Sequence, residues 1–392
     1  MYIAQVFKVA HDWWRYIIGL TAVFIGIIIF SLPHAFAIMV KTFDGEIDQS
    51  QLGDVNYLMG LFESNLNLVF ILLPFVGGFI VLPFLVKYLH KQSFRSLTTG
   101  RNKVDWKRIW FAFLFWGIIS SGLIFADYFA NPEGYVWNFK PTQFAILCVL
   151  AVLLIPIQTS FEEYLFRGYL VQGIGVSSSH KYFPFVIAYC IIAIFAYIAL
   201  TYQFELNILL KAAFAIVAAL LLIVLVYSKP VAKFVDNAGY QSFFKLLNRK
   251  STPIIITSVA FGLMHIANPE IEKLGYILLV YYIGTGFFLA IMTIMDDGLE
   301  LAIGFHAANN LFTALLVTAD WTAFQTHSIF KDTSDPTEAG FVDVFAPVFI
   351  IFPILLIIFA KIYKWNNWKE KLFGRIQPPP AEDYKVLDDV AK

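Results

Sequence analysis

Ten apolar runs of about membrane-spanning length dominate this chain of 392 residues. Lipid offers no partner to a free backbone N–H or C=O, so such runs cross as helices of roughly 20 residues. The runs are Trp14–Met39, Leu66–Val86, Ile109–Phe129, Phe144–Leu165, Phe183–Leu200, Leu206–Val226, Pro253–Ala267, Tyr276–Met295, Leu299–Thr318 and Val342–Ile362. The seventh is short, and the fourth and ninth carry charges or histidine, so function is sought in those three. Charged residues make up only 14% of the chain, against about 25% in soluble proteins. The expected fold class is all-α: a polytopic transmembrane helical bundle of about ten transmembrane helices.

Orientation follows from where Lys and Arg fall between the runs. Lys87, Lys91, Arg95, Arg101, Lys103, Lys107 and Arg108 crowd one connection; Lys229, Lys233, Lys245, Arg249 and Lys250 crowd another. Lys361, Lys364, Lys369, Lys371 and Arg375 follow the last run. The alternate connections are acidic: Asp44, Glu46, Asp48 and Asp54; Asp127 and Glu133; Glu270 and Glu272; Asp332, Asp335 and Glu338. An even helix count with both termini inside (N-in/C-in) places every basic connection in the cytoplasm, the pattern expected of a multi-pass inner-membrane protein. Ala35-Phe36-Ala37 resembles a signal cleavage site, but the first run exceeds the ~7–15 residues of a signal core, which favours an uncleaved helix.

Smaller features have structural readings. Residues 1–14 read as an interfacial amphipathic helix with Trp13 and Trp14 at headgroup level, and Trp365 with Trp368 as a matching anchor. Pro74, Pro83 and Pro156 are expected to kink or end helices, and Gly284 and Gly286 to allow close helix approach. Cys148 and Cys190 lie in apolar runs and read as packing residues. Pro378-Pro379-Pro380 opens a tail read as disordered. The net charge is zero and no nucleic-acid partner is expected; the lipid bilayer is the expected surround.

A charge at the centre of a spanning helix costs at least ~2.5–3.5 kcal/mol, so the polar residues that interrupt these runs need a reason. The fourth run ends in Phe161-Glu162-Glu163-Tyr164-Leu165-Phe166-Arg167-Gly168. Glu163 and Arg167, four apart, share a face and can pair. Glu162 is rotated by about 100°, which leaves one carboxylate free for proton transfer. Snorkelling side chains at an inner interface are the plainer explanation for this segment alone. The seventh run carries Phe261-Gly262-Leu263-Met264-His265, and the ninth Gly304-Phe305-His306-Ala307-Ala308-Asn309-Asn310. A lone His more often packs or hydrogen-bonds, and His306 with Asn310 can simply join helices. Together the three helices argue otherwise. Unpartnered buried carboxylates and imidazoles are costly, and gathering Glu162, Glu163, Arg167, His265, His306 and Asn310 in one cavity satisfies them all. Such a set can activate water and stabilise an oxyanion. Glu162 falls near the end of its run while His265 lies deeper; tilt or an extended fourth helix would reconcile the two.

The ordered set Glu-Glu-x-x-x-Arg, Phe-x-x-x-His, His-x-x-x-Asn resembles the CPBP family of intramembrane glutamic endopeptidases, which includes CAAX prenyl proteases and bacteriocin-processing proteins. The resemblance covers roughly residues 142–320. It implies a general base at Glu162 assisted by His265, an oxyanion hole of His306 and Asn310, and a shaping role for Glu163 and Arg167. It implies hydrolysis of a peptide bond in a protein or peptide substrate, without acyl-enzyme; no cofactor is expected. The domain reading is 1–141, N-terminal helices; 142–320, a CPBP-like core with an inserted helix pair at about 183–227; and 321–392, the last helix and tail. That pair departs from the family pattern, in which the first two motifs sit on neighbouring helices, and is a candidate for docking a partner in a membrane complex. A non-catalytic scaffold, a metal-dependent hydrolase and a transporter are the competing functions. The His-Glu-x-x-His pattern of zinc proteases is absent, and no broken-helix repeat supports a transporter.

Overall fold

The computed structural model describes residues 2–51, 54–204, 207–336 and 341–378; Leu206 and the tail from Pro379 fall outside them. All ten runs are helical: α1 (Trp13–Phe43), α2 (Ser64–Phe84), α3 (Trp106–Ala130), α4 (Pro141–Glu163), α5 (Phe183–Gln203), α6 (Ile208–Val226), α7 (Ser251–Met264), α8 (Leu279–Asp296), α9 (Glu300–Leu316) and α10 (Phe352–Tyr363). Among the described residues eight helical segments are long and apolar enough to cross a membrane. The two runs without such a segment became α7, with 14 residues, and α9, with 17.

The fourth helix does not stop at Leu165. It passes through a π turn at Tyr164–Leu170 and a further α-helical stretch at Val171–Ser178, giving a span of 38 residues. Glu162 therefore lies inside a long helix, at the start of the π turn. That register change, often found at functional sites, is invisible to a hydropathy argument that ends the helix where charges begin.

Packing centres on α4 and α9. The first lies between α2 and α9; the second lies between α3 and α4; α7 pairs with α8 and α1 with α2. Small residues set the spacing. A Cβ on Gly304 of α9 would collide with the Ile109 carbonyl of α3, and one on Gly286 of α8 would lie 2.7 Å from the Ser258 carbonyl of α7. Gly284 instead faces Val348, so it admits the turn preceding α10. Pro74, Pro83 and Pro156 all sit inside their helices and end none of them. The pair α5–α6 is set apart: its helices pack on each other and touch the remainder chiefly through the short helix Ala238–Leu247 and the end of the α4 span. No residue in the hydropathy window of α6 is buried by protein.

The connections sort by charge. At one end Thr99 bridges Gly298 and Arg249 bridges Arg375. There Arg101 pairs with Asp296 and Glu300, Arg108 with Asp296, and Lys371 with Asp297. At the other end Glu63 pairs with His327 at 2.7 Å and Asn56 donates to Glu272. A small sheet also lies there: β1 (Tyr135–Trp137), β2 (Val317–Thr318) and β3 (Phe330–Asp332), with β3 central, antiparallel to β1 and parallel to β2. These strands of two or three residues have no sequence signal of their own.

One terminal expectation is corrected. Residues 3–8 form a 3₁₀ helix whose Ile3, Val6 and Phe7 are buried with Tyr2 in the main apolar cluster, so the segment plugs the bundle and does not lie on the interface. Tyr2 donates its hydroxyl to the Leu97 carbonyl. At the other end of the chain Trp365 is half-buried, its indole N–H donating to Asp296 at 3.0 Å, and Trp368 is exposed.

Candidate active site

Glu163 is fully buried and Arg167 is 1% exposed. Inside the long α4 span they form the expected pair, with Arg167 Nη1 donating to Glu163 Oε1 at 3.1 Å. The guanidinium also stacks 4.0 Å from the Phe261 ring centroid of α7, a cation–π contact that strengthens when desolvated. Phe261 then organises both imidazoles. His265 lies 4.8 Å and His306 6.1 Å from it, centroid to centroid. All six residues picked out by sequence are thus gathered around one point.

The connections among them are specific. His306 Nδ1 donates to Glu163 Oε1 at 2.8 Å, which turns its Nε2 toward Glu162, 3.6 Å from Oε2. His265 Nδ1 donates to the Phe261 carbonyl at 2.8 Å. In its neutral form that ring keeps Nε2 as an acceptor, and it lies within electrostatic reach of Glu162. Glu162 is 8% exposed, and among the described residues its Oε2 has no hydrogen-bond partner. Glu163 Oε2 is also unbonded, but Glu163 is fully buried and its Oε1 is taken by both Arg167 and His306; Glu162 is the carboxylate less committed to charged partners, the arrangement that proton abstraction needs.

A second set of side chains holds the other oxygen of Glu162. Trp116 Nε1 donates to Asn309 Oδ1 at 3.0 Å, Asn309 Nδ2 to Asn310 Oδ1 at 3.2 Å, Asn310 Nδ2 to Gln158 Oε1 at 3.2 Å, and Gln158 Nε2 to Glu162 Oε1 at 2.7 Å. All four bonds donate in one direction, so each polarises the next, and the chain starts at an indole, which only donates. Gln158, Asn309 and Trp116 were not anticipated. The four-residue spacing of Gln158 and Glu162 was a usable signal; Trp116 on α3 gave none.

Near the acidic end, the Tyr282 ring stacks on His265 at 4.2 Å and 18°, and Asn268 Nδ2 donates to the Tyr282 hydroxyl at 3.3 Å. Glu270, in the connection between α7 and α8, accepts from the Ala323 N–H at 2.8 Å, and burial pushes its carboxyl above the usual range. Among the described residues no group of three His, Cys, Asp or Glu is arranged to hold a metal ion.

The fold and these contacts define a polytopic helical membrane protein with carboxylate, imidazole and amide side chains gathered inside the bundle. Residues 239–312 match the family described as type II CAAX prenyl endopeptidase Rce1-like, so the resemblance read from the motifs holds across α7, α8 and α9. The matched segment contains His265, His306 and Asn310; Glu162, Glu163 and Arg167 lie before it. A protein of Bacillus subtilis (strain 168), YyaK, itself uncharacterized, is 24% identical over 314 residues, covering 78% of each chain. No solved structure matches.

Proposed function

We propose that this protein is an intramembrane endopeptidase of the glutamic type, cleaving a peptide bond in a membrane-associated protein or peptide. One observation carries the reading: Glu162 is buried with one carboxylate oxygen held by Gln158 and the other unbonded, beside two imidazoles. Water placed between Glu162 and His265 loses a proton to Glu162 as its oxygen attacks the scissile carbonyl. The same proton passes to the leaving amine as the C–N bond breaks, so no acyl-enzyme forms. His306 and Asn310 supply N–H donors to the oxyanion. With a proton on each nitrogen His306 would donate one to Glu163 and one into the cavity. The catalytic unit is residues 142–320. The meeting of all basic connections at one end supports an inner-membrane protein with both termini cytoplasmic.

Glu162→Gln keeps the hydrogen bond to Gln158 and removes the base. Cleavage is expected to fall by at least ~10²–10⁴-fold, the usual contribution of a general base, with expression and thermal unfolding unchanged. The measurement is a comparison of peptides released in cells carrying wild type or variant, repeated on purified protein with and without chelator. Unaltered release by the variant would refute the assignment of Glu162, and loss of activity with chelator alone would refute a metal-free mechanism. A scaffold role in a membrane complex draws support from the α5–α6 pair, so little covered by the rest of the chain. It predicts that Glu162→Gln leaves the cellular function intact while removal of the pair abolishes it.

A further inference from the structure

At the basic end, two arginines face each other without an acid between them. Arg249 and Arg375 are partners in an isolated antiparallel bridge, which puts their side chains on one face about 5 Å apart at Cβ. Like charges so placed repel, and neither makes an ion pair among the described residues. They line an open pocket of ≈ 580 Å³ together with Lys369, Trp368, Asn367 and Glu370. The single carboxylate there, Glu370, is engaged by Lys250 Nζ at 2.9 Å. Among the described residues the pocket therefore presents three cations to solvent against one neutralised acid.

The surroundings are apolar and unpartnered. The helix Ala238–Leu247 leads directly into Arg249 and is amphipathic: Phe243 and Leu246 are 52% and 54% exposed, while Lys245 belongs to its polar side. Phe373, which lines the pocket itself, is 54% exposed. A basic amphipathic helix with exposed Phe and Leu lies in a membrane interface, its apolar face among acyl chains. Polybasic segments beside a spanning helix are drawn to anionic headgroups.

We propose that this pocket binds the phosphate of an anionic phospholipid, with Arg249 and Arg375 clasping the phosphate oxygens, Lys369 adding charge, and Phe243, Leu246 and Phe373 against the acyl chains. Guanidinium groups suit this task because two planar forks can each make paired bonds to phosphate. The bound anion removes the repulsion across the bridge and clamps the segment before α7 to the segment after α10. The site is separate from the Glu162 cavity, and its occupancy does not depend on catalysis.

The test uses full-length protein in a neutral detergent, titrated with short-chain phosphatidylglycerol, short-chain phosphatidylcholine or inorganic phosphate, with binding read by native mass spectrometry and by the unfolding midpoint. Phosphatidylglycerol is expected to bind and raise the midpoint, with phosphatidylcholine and inorganic phosphate much weaker. The double variant R249Q/R375Q is expected to bind phosphatidylglycerol on the order of thirtyfold more weakly, from about 1 kcal/mol per cation at a membrane surface. K103Q/K107Q, which removes the same charge from exposed positions of another basic connection, should bind as wild type. Equal affinity for phosphatidylcholine, equal loss in both double variants, or no loss in R249Q/R375Q would each overturn the proposal. Inorganic phosphate binding as tightly as the lipid would reassign the pocket to a free anion. Wild-type lipid selectivity stands as evidence even if R249Q/R375Q fails to fold.

Discussion

Glu163 and Arg167 show why the two adjacent glutamates behave differently. Both keep one oxygen without a hydrogen bond among the described residues, but Glu163 is fixed by Arg167, His306 and, through Arg167, Phe261, whereas Glu162 has one firm bond, from the neutral amide of Gln158. Removing one partner of a fully buried ion pair leaves an uncompensated charge, a loss of about 3–5 kcal/mol. Arg167→Met is therefore expected to destabilise the protein by that order. Adding Glu163→Gln should recover a large part, because the stranded carboxylate is gone. The check is a double-mutant cycle on unfolding in mixed micelles; additive losses would show that the pair is not coupled. Gln158 acts differently, as a positioning residue. Gln158→Leu should lower cleavage roughly tenfold, the value of one ~1.4 kcal/mol hydrogen bond, through kcat with KM little changed, and Glu162→Gln added to it should cost no more than Glu162→Gln alone. The motif residues were legible in sequence because a charge in an apolar run stands out by its cost. Gln158 and Asn309 did not stand out, since neutral amides cost less, and only the fold shows that they form one chain with Trp116.

At the scale of elements, helix identity was readable and helix ends were not. Hydropathy located all ten helices but stopped the fourth at its charges, where the structure continues through the π turn to Ser178. The three-stranded sheet escaped because its pairing joins the α3–α4 connection to the α9–α10 connection, and such non-local partners leave no local pattern. The N-terminal segment was misplaced for a related reason: a short apolar stretch looks the same whether lipid or protein covers it. The α5–α6 pair illustrates the converse. Its exterior is apolar along its length and its anchors lie at one end, where Tyr240 donates to the Lys181 carbonyl at 2.7 Å and Lys181 pairs with Asp236. Little of the bundle core depends on it. Replacing residues 183–226 by a short polar linker should therefore leave the unfolding midpoint of the remaining helices close to wild type. A collapse of folding would show that the pair is part of the core.

Across the whole molecule, the two ends are tied by different chemistry, and the acidic end contains a group whose protonation is coupled to folding. Glu270 lies between α7 and α8 and holds the Ala323 N–H of the α9–α10 connection, so it links two connections that only the complete fold brings together. Burial holds its carboxyl above the ordinary range, which for an unfolded Glu is about 4.3. The folded state therefore keeps this proton at pH values where the unfolded state has already released it. Stability falls as pH rises wherever the unfolded state binds fewer protons. The contribution of Glu270 is thus full below the unfolded pKa and is lost progressively as pH climbs through the raised folded value. Glu270→Gln keeps an acceptor for Ala323 and removes the titration. Its unfolding free energy, measured against pH in mixed micelles, should match wild type at the acid end and exceed it by a growing margin toward neutral pH, levelling off above the folded pKa. Curves that run parallel across the range would mean that the carboxyl is solvated in the folded protein and that its protonation does not couple the two connections to folding.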